Sequence, residues 1–358
     1  MRVILLLVIA TLVIGVALVV SRSRPVPAEP PAAAIESGLS PPARATSQPQ
    51  LTPDEPRPIM QAQVVLERIG FSSGVIDGKE GKSFAAALQG FQQSRDLEPS
   101  GKLDAATKAA LSPWNNIAPT RMVTIPAAFA QGPFTPSIPA KLEEQSKLPA
   151  LGYRTVMEKL GERFHTNAAT LIELNSPETL VGAGRTIRVP NIGNDAVDPA
   201  KVSDVAWRTT LANLGVGATQ PKAERLEVDK SEGVLKVFDE DDRLIAQFPA
   251  TMGSKHDPLP IGEWTIKGTS FNPPFHYDPE LFWDASASDD RAVLPPGPNG
   301  PVGVVWIDLS KKHYGIHGTP EPEKIGRSES HGCIRLTNWD AARLALMIRP
   351  GATAHLVE

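Results

Sequence analysis

Proline divides this chain more sharply than any other residue. The 358 residues include 35 prolines, and residues 23–58 are crowded with them while carrying few large apolar side chains. Proline fixes its own φ and pushes the preceding residue toward extended conformations, so such a linker spans up to roughly 100 Å at about 3.1 Å per residue. Residues 113–150 are also proline-rich and lightly patterned, which indicates a connector. The chain is therefore predicted to be multidomain.

The segment before the linker, residues 1–22, is apolar. Residues 3–20 hold no charge and are rich in Val, Leu and Ile. As a helix this stretch would be about 27 Å long, close to a hydrocarbon thickness of about 30 Å. Because no clear small-x-small cleavage site follows it, a signal anchor in the cytoplasmic membrane is favoured over a cleaved signal peptide. Positive charges on both flanks leave the orientation open.

The charge and cysteine content exclude some classes of protein. The net charge of −4 gives no reason to expect nucleic-acid binding, and 41% hydrophobic residues suffice for packed cores. Cys333 is the single cysteine, so no internal disulfide can form. A free thiol in an exported chain is open to oxidation, and catalysis would explain its presence.

Cys333 lies in a motif that suggests a nucleophile. The run Ser-His-Gly-Cys-Ile-Arg occupies residues 330–335, and a His-Gly-Thr run begins sixteen positions before the cysteine, at His317. A thiol reacts as its thiolate, and imidazole is the side chain that takes a proton near neutral pH. His317 is the better candidate for that base. His331 would face the same side as Cys333 in an extended segment, about 6–7 Å away, which suits orientation of the loop.

Two other interpretations of this cysteine stay open. A free cysteine is commonly a small buried hydrophobe. His313, His317, His331 and Cys333 could also form a zinc ligand set. On one strand, His313 and His317 would stand roughly 13 Å apart, too far to share a metal ion. We therefore predict neither a metal nor a cofactor.

The two motifs resemble, residue for residue, the signature of the YkuD-type L,D-transpeptidases of bacterial cell-wall synthesis. The resemblance implies that Cys333 is the nucleophile and His317 the proton donor and acceptor. It further implies that His331 and Gly332 order the loop or the oxyanion hole. Substrate-binding side chains are expected at Arg335, Tyr314, Ser330 and Thr319. A loop-holding ion pair for Arg335, and simple packing for Tyr314, are equally open.

The resemblance also implies a reaction and a location. A cysteine acyltransferase of this kind takes the acyl group of a peptidoglycan tetrapeptide stem, releases D-Ala, and passes the acyl group to an amine, giving 3–3 cross-links that shape the wall. A wall-protein amine as acceptor would make it an anchoring enzyme, and water would make it an L,D-carboxypeptidase. A non-enzymatic wall-binding anchor is the alternative from another class. The expected location is extracytoplasmic, in the periplasm or cell wall, and carbapenems are expected to be covalent inhibitors.

Residues 59–112 have helical periodicity, with Ile59 and Leu66 on one apolar face and Phe84 and Phe91 on another. The segment resembles the three-helix peptidoglycan-binding module found beside wall enzymes. Phe84 stands where that module usually has threonine. The phenylalanine continues the apolar stripe of the helix. A helical spacer that binds nothing is the alternative.

Residues 151–192 predict a small α+β unit. Thr155 and Glu158 form a capping box that opens a helix, a second helix follows Asn167, and residues 186–190 read as a strand. This order resembles a degenerate LysM glycan-binding module with a weak first strand. A plain packing subdomain is the alternative.

Residues 224–358 form short β-rich runs separated by turn residues, which predict a β-sandwich or partly closed barrel. The predicted strands are 226–228, 234–238, 244–248, 264–266, 304–307 and 314–317, with one helix from about Asn338 to Met347. Residues 270–301 are proline-rich and irregular and hold Phe282 and Trp283, which is typical of a lid or of a static insertion. The fold class is thus a small three-helix bundle, an α+β LysM-like module and a mainly-β sandwich.

Overall fold

The structure is a computed structural model that describes residues 55–193, 197–286 and 290–358. All of these fall in one of the two compact units of the chain, Gln48–Glu358. The apolar segment 1–22 and almost all of the predicted linker lie outside the described residues. No helix in the described part of the chain is long and apolar enough to cross a bilayer.

The amino-terminal region is helical, as predicted. It contains α1 (Pro58–Arg68), α2 (Lys82–Gln93) and α3 (Ala105–Leu111), followed by a single 3₁₀ turn. Asp104 caps α3 by accepting a hydrogen bond from the Thr107 amide, which satisfies a donor of the first turn. Phe84 and Phe91 are buried in the core that the helices share. The phenylalanine at position 84 therefore packs inward and continues the apolar face of α2.

The middle region is built around a two-stranded antiparallel sheet. Its elements are β1 (Thr120–Thr124), α4 (Ala127–Ala130), α5 (Leu142–Gln145), α6 (Val156–Arg163), α7 (Ala168–Leu174) and β2 (Thr186–Pro190). Thr120 pairs with Pro190, and Thr124 pairs with Thr186. The partner of β2 therefore comes from residues 113–150, which the sequence indicated as a connector. The short strand was missed because prolines surround it. The LysM-like assignment stays a prediction.

The carboxy-terminal region is mainly β, as predicted, and begins after α8 (Val205–Leu214). Its strands are β3 (Arg225–Asp229), β4 (Val234–Phe238), β5 (Leu244–Pro249), β6 (Thr251–Met252), β7 (Gly262–Phe271), β8 (Phe275–Tyr277), β9 (Ala292–Leu294), β10 (Val305–Leu309), β11 (Gly315–His317), β12 (Ile334–Arg335) and β13 (Thr353–Val357). Among the described residues, one sheet has the order β5-β4-β3-β13-β7-β10-β11-β12-β6. β5 and β6 lie at opposite edges, yet only Ala250 separates them in the chain. The sheet must therefore curl until its edges approach each other.

One helix, α9 (Asn338–Met347), fills the curled sheet. Trp339 and Leu344 are fully buried in the core, together with Leu336 just before the helix. Thr337 caps the helix by accepting from the Asp340 amide. The stretch 270–301, expected to be irregular, contains the antiparallel hairpin β8–β9. α9 therefore lies behind the strands that carry the two sequence motifs.

The helical region is joined to the β region by backbone pairing. The Ser72 amide donates to the Gln247 carbonyl and the Gln247 amide donates to the Gly70 carbonyl, both at 2.9 Å. A Cβ on Gly70 would lie 2.7 Å from the Ile245 carbonyl oxygen, so the close approach needs glycine there. The segment after α1 thus pairs alongside the edge strand β5.

Candidate active site

Two parallel strands bring the motifs side by side. β11 pairs with β12 in a register that sets Ile316 against Ile334 and His317 against Arg335. Because side chains alternate along a strand and paired residues point to the same face, His317 and Arg335 share one face. Cys333 immediately precedes β12, two residues before Arg335, and the charge of Arg335 acts on its thiol. The strand pairing therefore brings the two sequence motifs onto neighbouring strands.

The surroundings of Cys333 keep it a thiol at neutral pH. Burial raises the pKa of the Cys333 thiol, and the Asp257 carboxylate adds to that effect. A hydrogen bond from the Gly315 backbone and the charge of Arg335 act in the opposite direction, because both stabilise a thiolate. The Sγ atom lies 3.7 Å from the His313 carbonyl oxygen, to which it donates. A base is therefore needed to generate the nucleophile.

His317 has the properties that such a base requires. Its side chain is buried, and burial together with the nearby Arg335 charge lowers the pKa of His317 to about 4, so the imidazole is neutral at pH 7. Nδ1 lies 2.7 Å from the Gly318 carbonyl oxygen, which can only accept. Nδ1 therefore carries the hydrogen, and Nε2 keeps a free lone pair. The Trp306 ring stacks on the imidazole at 5.6 Å and fixes its plane.

Ser330 holds the loop that carries Cys333. Its hydroxyl donates to the Cys333 carbonyl oxygen and accepts from the Gly253 amide, both at 2.7 Å, while its own amide donates to the Gly253 carbonyl. Gly332 adopts φ +94°, and a Cβ there would lie 2.6 Å from the Tyr314 ring. Tyr314 thus packs directly on the nucleophile loop. The loop conformation requires glycine at position 332.

His331 contacts the stretch 270–301. Its Nε2 atom lies 3.1 Å from Asp284 Oδ1, and its ring meets Phe282 edge-on at 5.3 Å. Trp283 lies 6.3 Å from the same ring and stacks on His256 at 4.3 Å. His331 therefore connects the loop that carries Cys333 to the stretch 270–301.

Arg335 and Thr319 occupy different positions in the site. Arg335 is partly buried, and its Nε atom has no hydrogen-bond partner among the residues that the structure describes. Burial lowers the pKa of its guanidinium, while Cys333 and Glu321 oppose that shift. The Thr319 hydroxyl is buried and accepts from the Glu321 amide at 3.2 Å, so it orders the turn after β11. The guanidinium of Arg335 thus lies partly buried beside Cys333, and its Nε donor is enclosed by protein.

Sequence reasoning missed two acidic groups of this region, Asp257, which acts on the thiol, and Asp284, which contacts His331. Asp257 follows β6, and its charge raises the pKa of both Cys333 and Tyr314. Its Oδ2 atom is buried without a hydrogen-bond partner in the described part of the chain. Neither residue belongs to a motif, so only the fold could place them. No group of three or more His, Cys, Asp or Glu side chains that could hold a metal ion occurs within residues 55–193, 197–286 and 290–358.

Comparison with known proteins matches two parts of the chain. Residues 223–357 match the YkuD model, the L,D-transpeptidase catalytic domain, and residues 57–111 match the PG_binding_1 model, a peptidoglycan-binding domain. A Bacillus licheniformis protein named for L,D-transpeptidase activity, YkuD, is 27% identical over 197 residues, or 54% of this chain and 89% of that protein. The Escherichia coli protein YbiS, named for the same activity, is 25% identical over 207 residues, or 50% of this chain and 65% of its own length. A crystal structure of L,D-transpeptidase 3 from Mycobacterium tuberculosis, in complex with a faropenem-derived adduct, is 16% identical. It has a TM-score of 0.32 and covers 49% of this chain and 75% of that one.

Proposed function

We propose that this chain, whose residues 223–357 belong to the L,D-transpeptidase catalytic domain family, transfers the acyl group of a peptidoglycan tetrapeptide stem through a thioester on Cys333. The observation that carries the proposal is the neutral imidazole of His317. Its tautomer leaves the Nε2 lone pair available, and the pairing of β11 with β12 brings the two motifs onto neighbouring strands. A neutral thiol beside a neutral imidazole suits proton transfer that accompanies attack on a carbonyl.

The first half-reaction acylates the thiol. The Cys333 proton passes to His317 Nε2 while Sγ attacks the carbonyl carbon of the third stem residue. The amide C–N bond then breaks, His317 returns the proton to the leaving nitrogen, and D-Ala departs as the free amino acid. The backbone N–H groups of Gly332 and Cys333 are the proposed donors to the oxyanion. The thioester keeps the acyl group activated, so no ATP is needed.

The second half-reaction transfers the acyl group. An acceptor amine attacks the thioester, His317 takes the amine proton, and the C–S bond breaks to release a thiolate that recovers that proton. An amine from a neighbouring stem gives a 3–3 cross-link, and an amine of a wall protein anchors that protein. Water at the same step would make the chain an L,D-carboxypeptidase. The Arg335 guanidinium, whose charge acts on Cys333, is the proposed partner of a substrate carboxylate.

The amino-terminal parts fit a protein that works outside the cytoplasm. A peptidoglycan-binding domain at residues 57–111 supplies contact with the wall beside the catalytic domain. The signal anchor at residues 3–20 and glycan binding by the LysM-like region are further parts of the proposal. The non-enzymatic alternative keeps these binding regions and dispenses with the chemistry of Cys333.

Mass spectrometry of muropeptides tests the proposal. The purified chain, incubated with disaccharide-tetrapeptide, should release D-Ala and form cross-linked dimers. Cys333→Ala should lose both products and still sediment with sacculi. Dimers formed by Cys333→Ala would contradict the thiol mechanism. Release of D-Ala without dimers, at every amine concentration, would leave the carboxypeptidase.

A β-lactam offers a second test, because its strained amide acylates such a nucleophile. One carbapenem should add to Cys333, giving one adduct by intact mass. Prior alkylation of the thiol should prevent it, and His317→Ala should slow it by about 10² to 10⁴ if general-base catalysis has its usual weight. An adduct on a serine would contradict the assignment.

A further inference from the structure

A cleft of about 220 Å³ lies between the helical region and the loop that joins the two catalytic motifs. One wall comes from the segment between α1 and α2, including Ser73 and Gly81. The opposite wall comes from the loop after Thr319, including Ile325 and Arg327, and Asn167 lines the cleft between them. Neither the proposed chemistry nor the sequence motifs use these residues.

Ser73 gives the reason to expect a ligand. Its side chain is 4% exposed, and its Oγ atom has no hydrogen-bond partner in the described part of the chain. A buried hydroxyl left unpaired costs roughly 1–3 kcal/mol, so such groups normally have partners. The neighbouring Gln63 shows the usual condition, because it donates to Asp77 Oδ1 at 3.0 Å and accepts from the Gly78 amide at 2.7 Å. The Gln63 bonds thus stabilise this wall, while the buried Ser73 hydroxyl makes no hydrogen bond in the described part of the chain.

The lining favours a neutral ligand rich in hydroxyl groups. Its carboxylates are Asp77, Glu80 and Glu323, and its cations are Lys79 and Arg327. The charges nearly cancel, so the cleft selects neither an anion nor a cation. The side-chain oxygen of Asn167 caps α7 by accepting from the Thr170 amide, so the side-chain amide nitrogen of Asn167 is not needed for the cap. Hydrogen-bonding groups beside apolar surfaces such as Phe84 and Ile325 suit a saccharide.

The cleft is close to the active site through β6. The Thr251 hydroxyl accepts from the Gly326 amide at 2.8 Å and so fixes the cleft wall to that strand. Thr251 also pairs with Arg335 in the sheet. A chain bound in the cleft would therefore run beside the loop between the motifs, one strand from the site.

We propose that this cleft binds a segment of the peptidoglycan glycan chain, which holds the strand while its stem enters the active site. The inference rests on the proposed function, since it takes peptidoglycan as the substrate. Gly81 offers a way to block the cleft. It has extended φ of −177°, and a Cβ there would have no heavy atom within 4 Å, so a large side chain fits without backbone strain.

The test is titration of the full chain carrying Cys333→Ala with stem-free glycan chains, made by amidase treatment of peptidoglycan. Gly81→Trp should weaken binding at least tenfold. Ser73→Ala should weaken it about three- to tenfold, in line with one lost hydrogen bond. Asn167→Ser keeps a capping side chain and removes the amide, so it should weaken binding without melting α7. Gly268→Trp is the matched control, because a Cβ on that strand glycine also meets nothing within 4 Å.

Activity assays distinguish a failure of the cleft proposal from a failure of the proposed function on which it rests. In chains with Cys333 intact, Gly81→Trp should keep wild-type release of D-Ala from a free tetrapeptide and lose at least tenfold on long glycan strands. Equal glycan affinity for wild type, Gly81→Trp and Gly268→Trp would overturn the cleft assignment alone, and so would no binding by wild type. A wild type that is inactive on free tetrapeptide would instead overturn the proposed function. If Ser73→Ala misfolds, Asn167→Ser and Gly81→Trp still decide.

Discussion

Two buried glutamates should respond to neutralisation in opposite ways. Glu162, on α6, accepts from the Asn338 amide nitrogen at 2.7 Å and from the Tyr153 hydroxyl at 2.9 Å, and no cation in the described part of the chain contributes to its pKa. Burial raises the pKa of Glu162 to about 8, and the Glu158 charge adds to the shift. The carboxyl is therefore mostly protonated at pH 7. A glutamine keeps the acceptor for Asn338 and presents an amide to the Tyr153 oxygen.

The magnitude follows from proton linkage. An unfolded Glu162 has a pKa of 4.5, so between pH 4.5 and about 8 the folded state holds a proton that the unfolded state has released. Stability must fall as pH rises through that window, by about 1.4 kcal/mol per pH unit. Glu162→Gln removes this loss. The gain of the variant over wild type should therefore grow by roughly 4 kcal/mol from about pH 5 to about pH 8.

Glu67 is the internal control with the opposite sign. Burial alone would raise its pKa, but Arg343 and His165 lower the pKa of Glu67 to about 2. Arg343 Nη1 and His165 Nδ1 both lie 2.8 Å from its Oε1 atom. Glu67→Gln should destabilise the fold by about 3 kcal/mol at neutral pH, since it leaves a buried cation unpaired. That deficit should shrink as pH falls through 4.5 toward 2, where wild type also loses the charge.

Urea unfolding followed by tryptophan fluorescence measures both variants at about pH 5 and about pH 8, where the deficit of Glu67→Gln should stay constant, and measures Glu67→Gln also at about pH 3, where its deficit should be smaller. The informative quantity is the change in each variant's difference from wild type. If the free energies of Glu162→Gln and wild type differ by the same amount at both pH values, the carboxyl of Glu162 is not protonated in the fold. The reasoning from burial would then be refuted.

Three further predictions concern the active site. The kcat/KM for D-Ala exchange should fall as pH drops through about 4, because protonated His317 cannot accept the thiol proton. Arg335→Gln removes a neighbouring positive charge and should raise the pKa of His317. The pH-rate profile of that variant should therefore show the fall in kcat/KM at a higher pH than wild type. Gly332→Ala should lower kcat at least tenfold and lower the free energy of unfolding by roughly 1–3 kcal/mol, because φ +94° is strained for alanine and Tyr314 blocks a Cβ. Steady-state kinetics measures the first effect and thermal melting the second. Asn338→Ala should lower kcat more than it changes KM, since Asn338 packs on Gly318, whose carbonyl oxygen orients His317, and an unchanged kcat would contradict this.

Six strands of the carboxy-terminal region were predictable because each is a short apolar run bounded by turn residues, whereas the two- and three-residue strands β6, β8, β9 and β12 are too short to show a pattern. The helix Asn338–Met347 was predictable from its apolar spacing. Two signals were overlooked. Asp204 accepts from the Trp207 amide and Gly215 ends α8 with φ +69°, which are ordinary start and stop residues for a helix. In β13, Ala354 and Leu356 alternate with less buried residues, so its period of two was visible.

Contacts distant in sequence could not be predicted in the same way. Arg343 and Glu67 are separated by 276 positions, and Ser72 and Asp340 by 268. A charged or polar residue in an apolar helix face signals that a partner exists but does not identify it. The proline-rich spacers also suggested independent modules, since they contain little to pack. The buried contacts of Glu67 instead join the helical region to α9.

These contacts give the amino-terminal regions a structural role besides the proposed binding to the wall. Glu162 on α6 holds the Asn338 amide nitrogen, and the Asn338 oxygen accepts from the Val304 amide at 3.3 Å. A Cβ on Gly318 would lie 2.3 Å from that oxygen, so the glycine after His317 permits the close packing. The Gly318 carbonyl oxygen in turn keeps the hydrogen on Nδ1 of His317. An unbroken series of contacts therefore runs from α6 to the candidate base, and a change that loosens α6 should disturb the base before it disturbs the thiol.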